Sequence, residues 1–234
     1  MKLVIFAGGL GTRISEESDY IPKPMIKIGT KPILWHIMKY YSVFGFSEFI
    51  ICGGYKMKII ENFFKKFKSN KSWNVRVVDT GQDSNTGERL RRVKKYINSS
   101  FCLTYGDGLC NINLDKLINF HKKNKSIATL TAIKPIPHYG KIVFRGNKVT
   151  GFIEKDKKKE SWINGGFFVC DKKIFNHLNK NNLIFEIDIL PLLAKKKQLS
   201  AYKHNDFWYC MDTLRDKRHL NNLWSSKKAP WKIW

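Results

Sequence analysis

The sequence predicts an α/β fold in which a mostly parallel sheet carries helices on both faces. Three observations predict it. Short apolar runs rich in Val, Ile and Phe alternate with amphipathic runs of helical period through the first 135 residues. The first apolar run ends in a glycine-rich loop, "VIFAGGLGTR" at 4–13. A hydrophobic content of 43% in 234 residues is ample for the packed core of one large domain.

The elements follow in order. "KLVIF" (2–6) reads as a strand. Residues 32–44 place Leu34, Ile37, Met38, Tyr41 and Phe44 on one helical face, with Pro32 at the start, where its missing N–H costs nothing. "EFIICGG" (48–54) is a strand stopped by two glycines, and 56–67 is an amphipathic helix. A strand at 74–80, a helix at 86–97, a strand at 101–107, a helix at 113–124 and a strand at 128–135 continue the alternation. After about residue 138 the pattern changes. Residues 140–155 read as a hairpin turning at Gly146-Asn147, 162–175 as a strand and a helix start, and 199–213 as a late strand before a helical tail. No repeat or long linker interrupts the chain, so the expected organisation is one compact unit over 1–234. Residues 1–135 form a nucleotide-type half, and residues 136–234 a smaller, more irregular half with the C-terminal tail.

Composition narrows the function. The net charge is +24, from 35 Lys and 8 Arg against 19 acidic residues. The lysines are spread along the whole chain in a background rich in Ile and Asn. That distribution favours a solvated basic surface that attracts anionic substrates over a nucleic-acid partner. The five cysteines form no CxxC pair and no zinc spacing, and read as reduced, mostly buried thiols. No apolar run reaches the roughly 18–20 residues of a membrane span, and "MKLVIF" lacks a signal-peptide pattern. A cytoplasmic protein without a membrane partner is expected.

Counting excludes two common phosphate loops. No Gly-Lys-Ser/Thr follows the glycines, so the loop is not a P-loop. Gly9-x-Gly11 begins a dinucleotide fingerprint, but Ile14 stands at its third glycine and no acidic residue lies near position 30. The glycines still let backbone N–H groups approach a phosphate or a base edge. Arg13 offers a bidentate fork to phosphate oxygens. In "PKPM" (22–25) two prolines hold the backbone on either side of Lys23. Asp107 of "TYGDG" lies at a strand end, and a carboxylate beside phosphates is a Mg²⁺ ligand. Asp212 of "MDT" is the second candidate ligand, or alternatively the N-cap of the following helix. Glu154 and Asn164, in "FIEK" and "WINGG", suit the hydroxyl groups of a sugar, and Lys155 suits a second phosphate.

Taken together in this order, "AGGLGTR", "PKPM", "GDG", "EK", "NGG" and "MDT" resemble the sugar-1-phosphate nucleotidyltransferases. "KPILWHIM", "VDTG", "LTYGDG", "WINGGFFV", "MDTLRDK" and "APWK" are similar to the cytidylyl branch of that family. The resemblance runs through nearly the whole chain. It implies a Rossmann-like sheet, with CTP and glucose 1-phosphate as substrates, Mg²⁺ as cofactor, a homo-oligomer and a place in surface-polysaccharide synthesis. It also implies site roles. Ala7, Gly8, Gly9, Leu10, Gly11, Thr12, Ser84, Thr86, Arg89 and Gly106 would contact the nucleotide. Arg13 and Lys23 would hold the phosphates, and Asp107 and Asp212 the metal. Gly140, Glu154, Lys155, Asn164 and Gly165 would bind the sugar phosphate.

The chain departs from the family pattern at Glu88, Asn111 and Tyr209-Cys210, lacks a proline after "EK", and is short between Phe67 and Trp73, which puts a hexamer in doubt. Two rival expectations remain: the same chemistry with uracil or thymine as the base, and a catalytically silent nucleotide-sugar sensor.

Overall fold

The alternation of buried side chains along the strands builds the molecule from its centre. A computed structural model describes residues 1–14, 17, 19–67, 72–135, 141–154 and 161–234; for Arg13 and Lys141 it describes the backbone alone. In chain order the elements are β1 (Leu3–Phe6), the small hairpin β2 (Lys27–Ile28) and β3 (Lys31–Pro32), α1 (Ile33–Val43), β4 (Glu48–Gly53), α2 (Met57–Lys66), β5 (Asn74–Asp79) and α3 (Thr86–Arg92). Next come β6 (Phe101–Tyr105), β7 (Gly108–Cys110), α4 (Leu114–Asn124), β8 (Ala128–Ile133), β9 (Lys141–Arg145) and β10 (Lys148–Ile153). The chain closes with β11 (Ile163–Cys170), α5 (Leu190–Lys195), β12 (Leu199–His204), β13 (Trp208–Cys210) and α6 (Leu214–Ser225).

Seven strands form one sheet in the order β12-β8-β11-β6-β1-β4-β5. All neighbours run parallel except β11, which is antiparallel to both β6 and β8. Successive residues face opposite sides. Leu3, Ile5, Phe49, Ile51 and Val169 join one buried cluster with α1 and α4. Val4, Phe6, Ile50, Leu103 and Phe168 join a second with Leu90 of α3 and Leu190 and Leu193 of α5. Both faces are covered, which is why these strands read as continuous apolar runs.

From β1 the chain lays β4 and β5 to one side, then returns to put β6 on the other. The strand order therefore reverses between β1 and β6, where Phe6 pairs with Tyr105. Open α/β sheets bind ligands beyond the carboxyl ends of their strands at such a reversal.

One expectation about an element needs correction. The helix expected over 86–97 stops at Arg92, and Lys94–Tyr96 is a separate 3₁₀ turn. Buried Val93 leaves helical geometry (φ −95°, ψ 0°), and the tighter turn returns Ile97 to the same apolar layer. In the second half β11 and β12 join the main sheet, the β9–β10 hairpin forms a separate pair that turns at Gly146-Asn147 as the sequence suggests, and β13 pairs with β7 outside the sheet.

The "APWK" tail has a packing role. Trp231 is fully buried and its indole N–H faces His36 Nδ1 at 3.4 Å. The His36 ring bonds Ile28 O through Nε2 at 2.9 Å. Burial lowers the His36 pKa to about 4, so a neutral ring joins the tail to α1. Cys52, Cys102, Cys110 and Cys170 are buried free thiols, and Cys210 is partly exposed. No helix among the described residues is long and apolar enough to cross a membrane.

Candidate active site

A cleft of about 390 Å³ opens at the β1/β6 reversal. The glycine loop from Ala7 to Thr12 forms one lip, although Leu10 turns out to solvent and does not line the cleft. Ser84, Asn85 and Thr86, where α3 begins, form the other lip. Gly106 and Asp107 extend from β6 beneath them. Lys23 enters from a 3₁₀ turn, Lys23–Met25, closed by the Met25 N–H donating to Pro22 O at 2.7 Å. Residues separated by about a hundred positions therefore share one cavity.

Arg89 lines the cleft and is bonded to the glycine loop. Its guanidinium is buried at 4% exposure, and its Nη atoms donate to five acceptors. These are the carbonyls of Gly8, Gly53, Gly81 and Gln82 and the Thr80 hydroxyl, at 2.8–3.1 Å. Arg89 shapes the cleft wall by fastening the glycine loop to the ends of β4 and β5. Gly8 is required for this, since a Cβ there would lie 2.1 Å from Arg89 Nη1. Burial lowers the Arg89 pKa, the usual cost of removing a cation from water.

The charged centre is made by three distant residues. Lys23 Nζ lies 2.6 Å from Asp107 Oδ2 and 2.6 Å from Asp212 Oδ1. Burial works to lower the Lys23 pKa, but the two carboxylates outweigh it and the net shift is upward. Asp212 is not the helix cap. That role falls to Thr213, which forms a reciprocal capping box with Asp216. Asp212 is thereby left on the cleft side of the helix start, facing Lys23. Asp107, Cys210 and Asp212 each offer one ligand atom, and these atoms lie within 4.8 Å of one another. Two carboxylate oxygens around a point already held by positive charge fit a divalent cation that prefers oxygen. No sequence motif pointed to Cys210 in this cluster; the β7–β13 pairing of Cys210 with Gly108 brings it there.

The sugar-side residues are less concentrated. Asn164 Oδ1 accepts the Gly166 N–H at 2.9 Å, and the Gly165 carbonyl accepts the Trp208 indole N–H at 2.6 Å. Glu154 follows β10 and is exposed. Gly140 and Lys155 lie outside the described residues, and the Arg13 side chain is not described. Glu88, a departure from the family pattern, is buried and ion-paired to Arg91 and Arg92. The Arg91 bond, against opposing burial, helps hold its pKa down to about 2, and Glu88 also accepts the Asn182 N–H. Sequence reasoning missed Tyr105 and Glu186, which both line the cleft. Glu186 lies in "FEIDIL", which carries no recognisable motif.

A glycine loop and a lysine–dicarboxylate centre at the reversal point of a mostly parallel sheet define a nucleotide-handling α/β protein. The chain belongs to the nucleotidyl transferase family, whose match covers residues 2–221. It is 44% identical to the glucose-1-phosphate cytidylyltransferase of Salmonella typhimurium, over the full length of both chains. It is 39% identical, again over both full lengths, to the probable glucose-1-phosphate cytidylyltransferase of Bacillus subtilis. Among solved structures, HddC from Yersinia pseudotuberculosis complexed with GMP-PN superposes with a TM-score of 0.75 at 26% identity, covering 95% of this chain and 99% of that one.

Proposed function

We propose that this protein transfers a cytidylyl group from CTP to α-D-glucose 1-phosphate, giving CDP-glucose and pyrophosphate. The observation that carries the reading is Lys23 held between Asp107 and Asp212 at the mouth of the glycine-loop cleft. The full-length likeness to relatives named for this reaction supports the choice of base and sugar.

In this reading an oxygen of the sugar phosphate attacks the α-phosphorus of CTP in line, and the bond to pyrophosphate breaks. No protein nucleophile is needed, so catalysis rests on positioning and charge. Backbone N–H groups of Gly8, Gly9 and Gly11, with Ala7 and Thr12, hold the nucleotide. Ser84, Thr86 and Gly106 border its base and ribose, and Arg89 holds the wall behind them. Arg13 grips the leaving pyrophosphate, and Lys23 neutralises charge at the reacting phosphates. Asp107 and Asp212 would hold Mg²⁺, with Cys210 beside them, and the ion would supply charge neutralisation for the phosphate oxygens. Family members work with a divalent metal; the oxygen-rich donor set here supports Mg²⁺. Asn164, Gly165 and Glu154 bind the glucosyl group, with Gly140 and Lys155 on the same side. The halves divide at about residue 135, nucleotide before and sugar after. The protein acts in the cytoplasm, where CTP is made, as a homo-oligomer supplying surface-polysaccharide synthesis.

The test is pyrophosphate release with Mg²⁺ and glucose 1-phosphate against CTP, UTP, dTTP and ATP. Turnover with CTP in clear excess is expected. Preference for UTP or dTTP would overturn the choice of base, and no turnover with any nucleotide would favour a silent sensor.

A further inference from the structure

Two carboxylates line the cleft, and they are held differently. Asp107 faces the Lys23 ammonium. Glu186 faces no cation among the described residues. It accepts from two neutral hydroxyls, that of Tyr105 on one oxygen and Thr86 Oγ1, at 2.6 Å, on the other. Glu186 comes from a π-turn, Phe185–Ile189, that leads into α5. Such widened turns are rare and concentrate at functional positions. The other acid of the turn, Asp188, is spent on the turn itself, where its Oδ2 accepts the Ile184 N–H at 2.6 Å. Phe185 packs into the core, and Glu186 is left on the cleft wall.

Its two partners hold the carboxylate still without filling it. The Thr86 hydroxyl gives its proton to Glu186 and accepts the Phe185 N–H at 2.9 Å, so that proton is not available to a ligand. A carboxylate has about four acceptor sites on its two oxygens, and the two bonds take one on each. One site therefore remains on each oxygen. An ionised phosphate has no proton to give and carries the same charge, so substrate phosphates are kept off this wall. The wall suits two O–H donors spaced like the carboxylate oxygens. Vicinal hydroxyls of a sugar ring present such a pair, whereas the two N–H bonds of an amine leave one nitrogen and diverge. Beside the carboxylate stand the rings of Phe6 and Tyr105, 5.9 Å apart and both on the cleft lining. They offer an apolar surface to the C–H side of such a ring.

We infer that Glu186 binds a vicinal hydroxyl pair of a substrate sugar ring. This rests on the proposed activity, whose two substrates both carry such a pair: the ribose of CTP and the glucosyl ring of glucose 1-phosphate. Tyr105 and Thr86 are the supports that aim the carboxylate.

The test combines variants with substrates that lack one hydroxyl. kcat/KM is measured for CTP against its 2′-deoxy and 3′-deoxy forms, and for glucose 1-phosphate against its 2-deoxy, 3-deoxy and 4-deoxy forms. Wild type, Glu186→Ala and Glu186→Gln are compared, with the melting temperature of each. In wild type, deletion of a hydroxyl on one of the two substrates should lower kcat/KM by about tenfold or more, the scale of one charge-assisted hydrogen bond. In Glu186→Ala that penalty should shrink to within about twofold of none, because the acceptor and the donor act as one pair. In Glu186→Gln it should be intermediate, since the amide keeps one accepting oxygen. The substrate whose penalty collapses is the one Glu186 holds. A wild type indifferent to every deletion, or penalties that stay at wild-type values in both variants whatever the overall rate, overturns the inference. Lost discrimination between CTP and UTP with the penalties unchanged would place a base amine at this wall and overturn it too. If Glu186→Ala fails to fold, Glu186→Gln decides by the same ratios. A wild type inactive with CTP and glucose 1-phosphate overturns the activity and this role with it. An active wild type with unmoved penalties in the variants overturns this role alone.

Discussion

The glycine loop and the β9–β10 hairpin lie in opposite halves of the chain, and they are built in opposite ways. The loop is fastened from behind by a buried guanidinium that collects five acceptors, four backbone carbonyls and one hydroxyl. The hairpin strands pair only with each other among the described residues. Its cross-strand pairs Ile142–Phe152 and Phe144–Val149 leave apolar side chains 45–64% exposed. The contrast follows the chemistry assigned to each. Phosphates exchanging a bond need donors held still before the reaction, because reorganisation at that moment adds to the barrier. In the proposed function the hairpin carries Glu154 toward a sugar that is bound but not broken, and nothing in that task demands a buried clamp.

The largest test of this contrast falls on the charged centre. Lys23→Met removes the cation between Asp107 and Asp212, and kcat is expected to fall by about 10²–10³-fold, as when one preorganised charge-stabilising group is lost. Near-ultraviolet circular dichroism should be unchanged. Activity within a few-fold of wild type would mean that the centre is structural.

A smaller effect is expected behind the loop. Arg89→Lys leaves one ammonium where a planar fork met five acceptors, so several buried carbonyls lose their donors. Urea unfolding should show a loss of about 3 kcal/mol, the scale of a disrupted buried charge network. KM for CTP should rise as Gly8 is released. Wild-type stability in Arg89→Lys would remove the distinction between a clamped and an unclamped region.

The smallest effect belongs to the hairpin. Phe144 is 63% exposed, so Phe144→Ser should change stability by less than about 0.5 kcal/mol, the usual range for surface sites. A loss of several kcal/mol in the same unfolding experiment would show that the hairpin packs against something in solution, and the contrast would fail.

Much of the site was legible because its parts sit at strand ends. Asp107 follows β6 and Gly8 follows β1, so an alternating α/β pattern alone carries both to the carboxyl edge of the sheet. Lys23 was legible from its two prolines. For Arg89 a sequence shows a guanidinium but not how many carbonyls surround it. Asp212 was open between cap and ligand until the Thr213–Asp216 box took the cap. Glu186 gave no signal, since a single acid in an apolar run looks like a solvated side chain until a π-turn aims it inward.

The sequence by itself determined the fold class, the order of the main strands and helices and the glycine-rich loop that lines the cleft. Those depend on short-range periodicities of 2 and 3.6 residues and on backbone freedoms that glycine and proline carry locally. Only the tertiary structure decided which polar groups are free and which are spent. A hydrogen-bond partner is fixed when segments as far apart as Lys23 and Asp212, 189 positions, are brought within 2.6 Å, and no local pattern encodes that meeting.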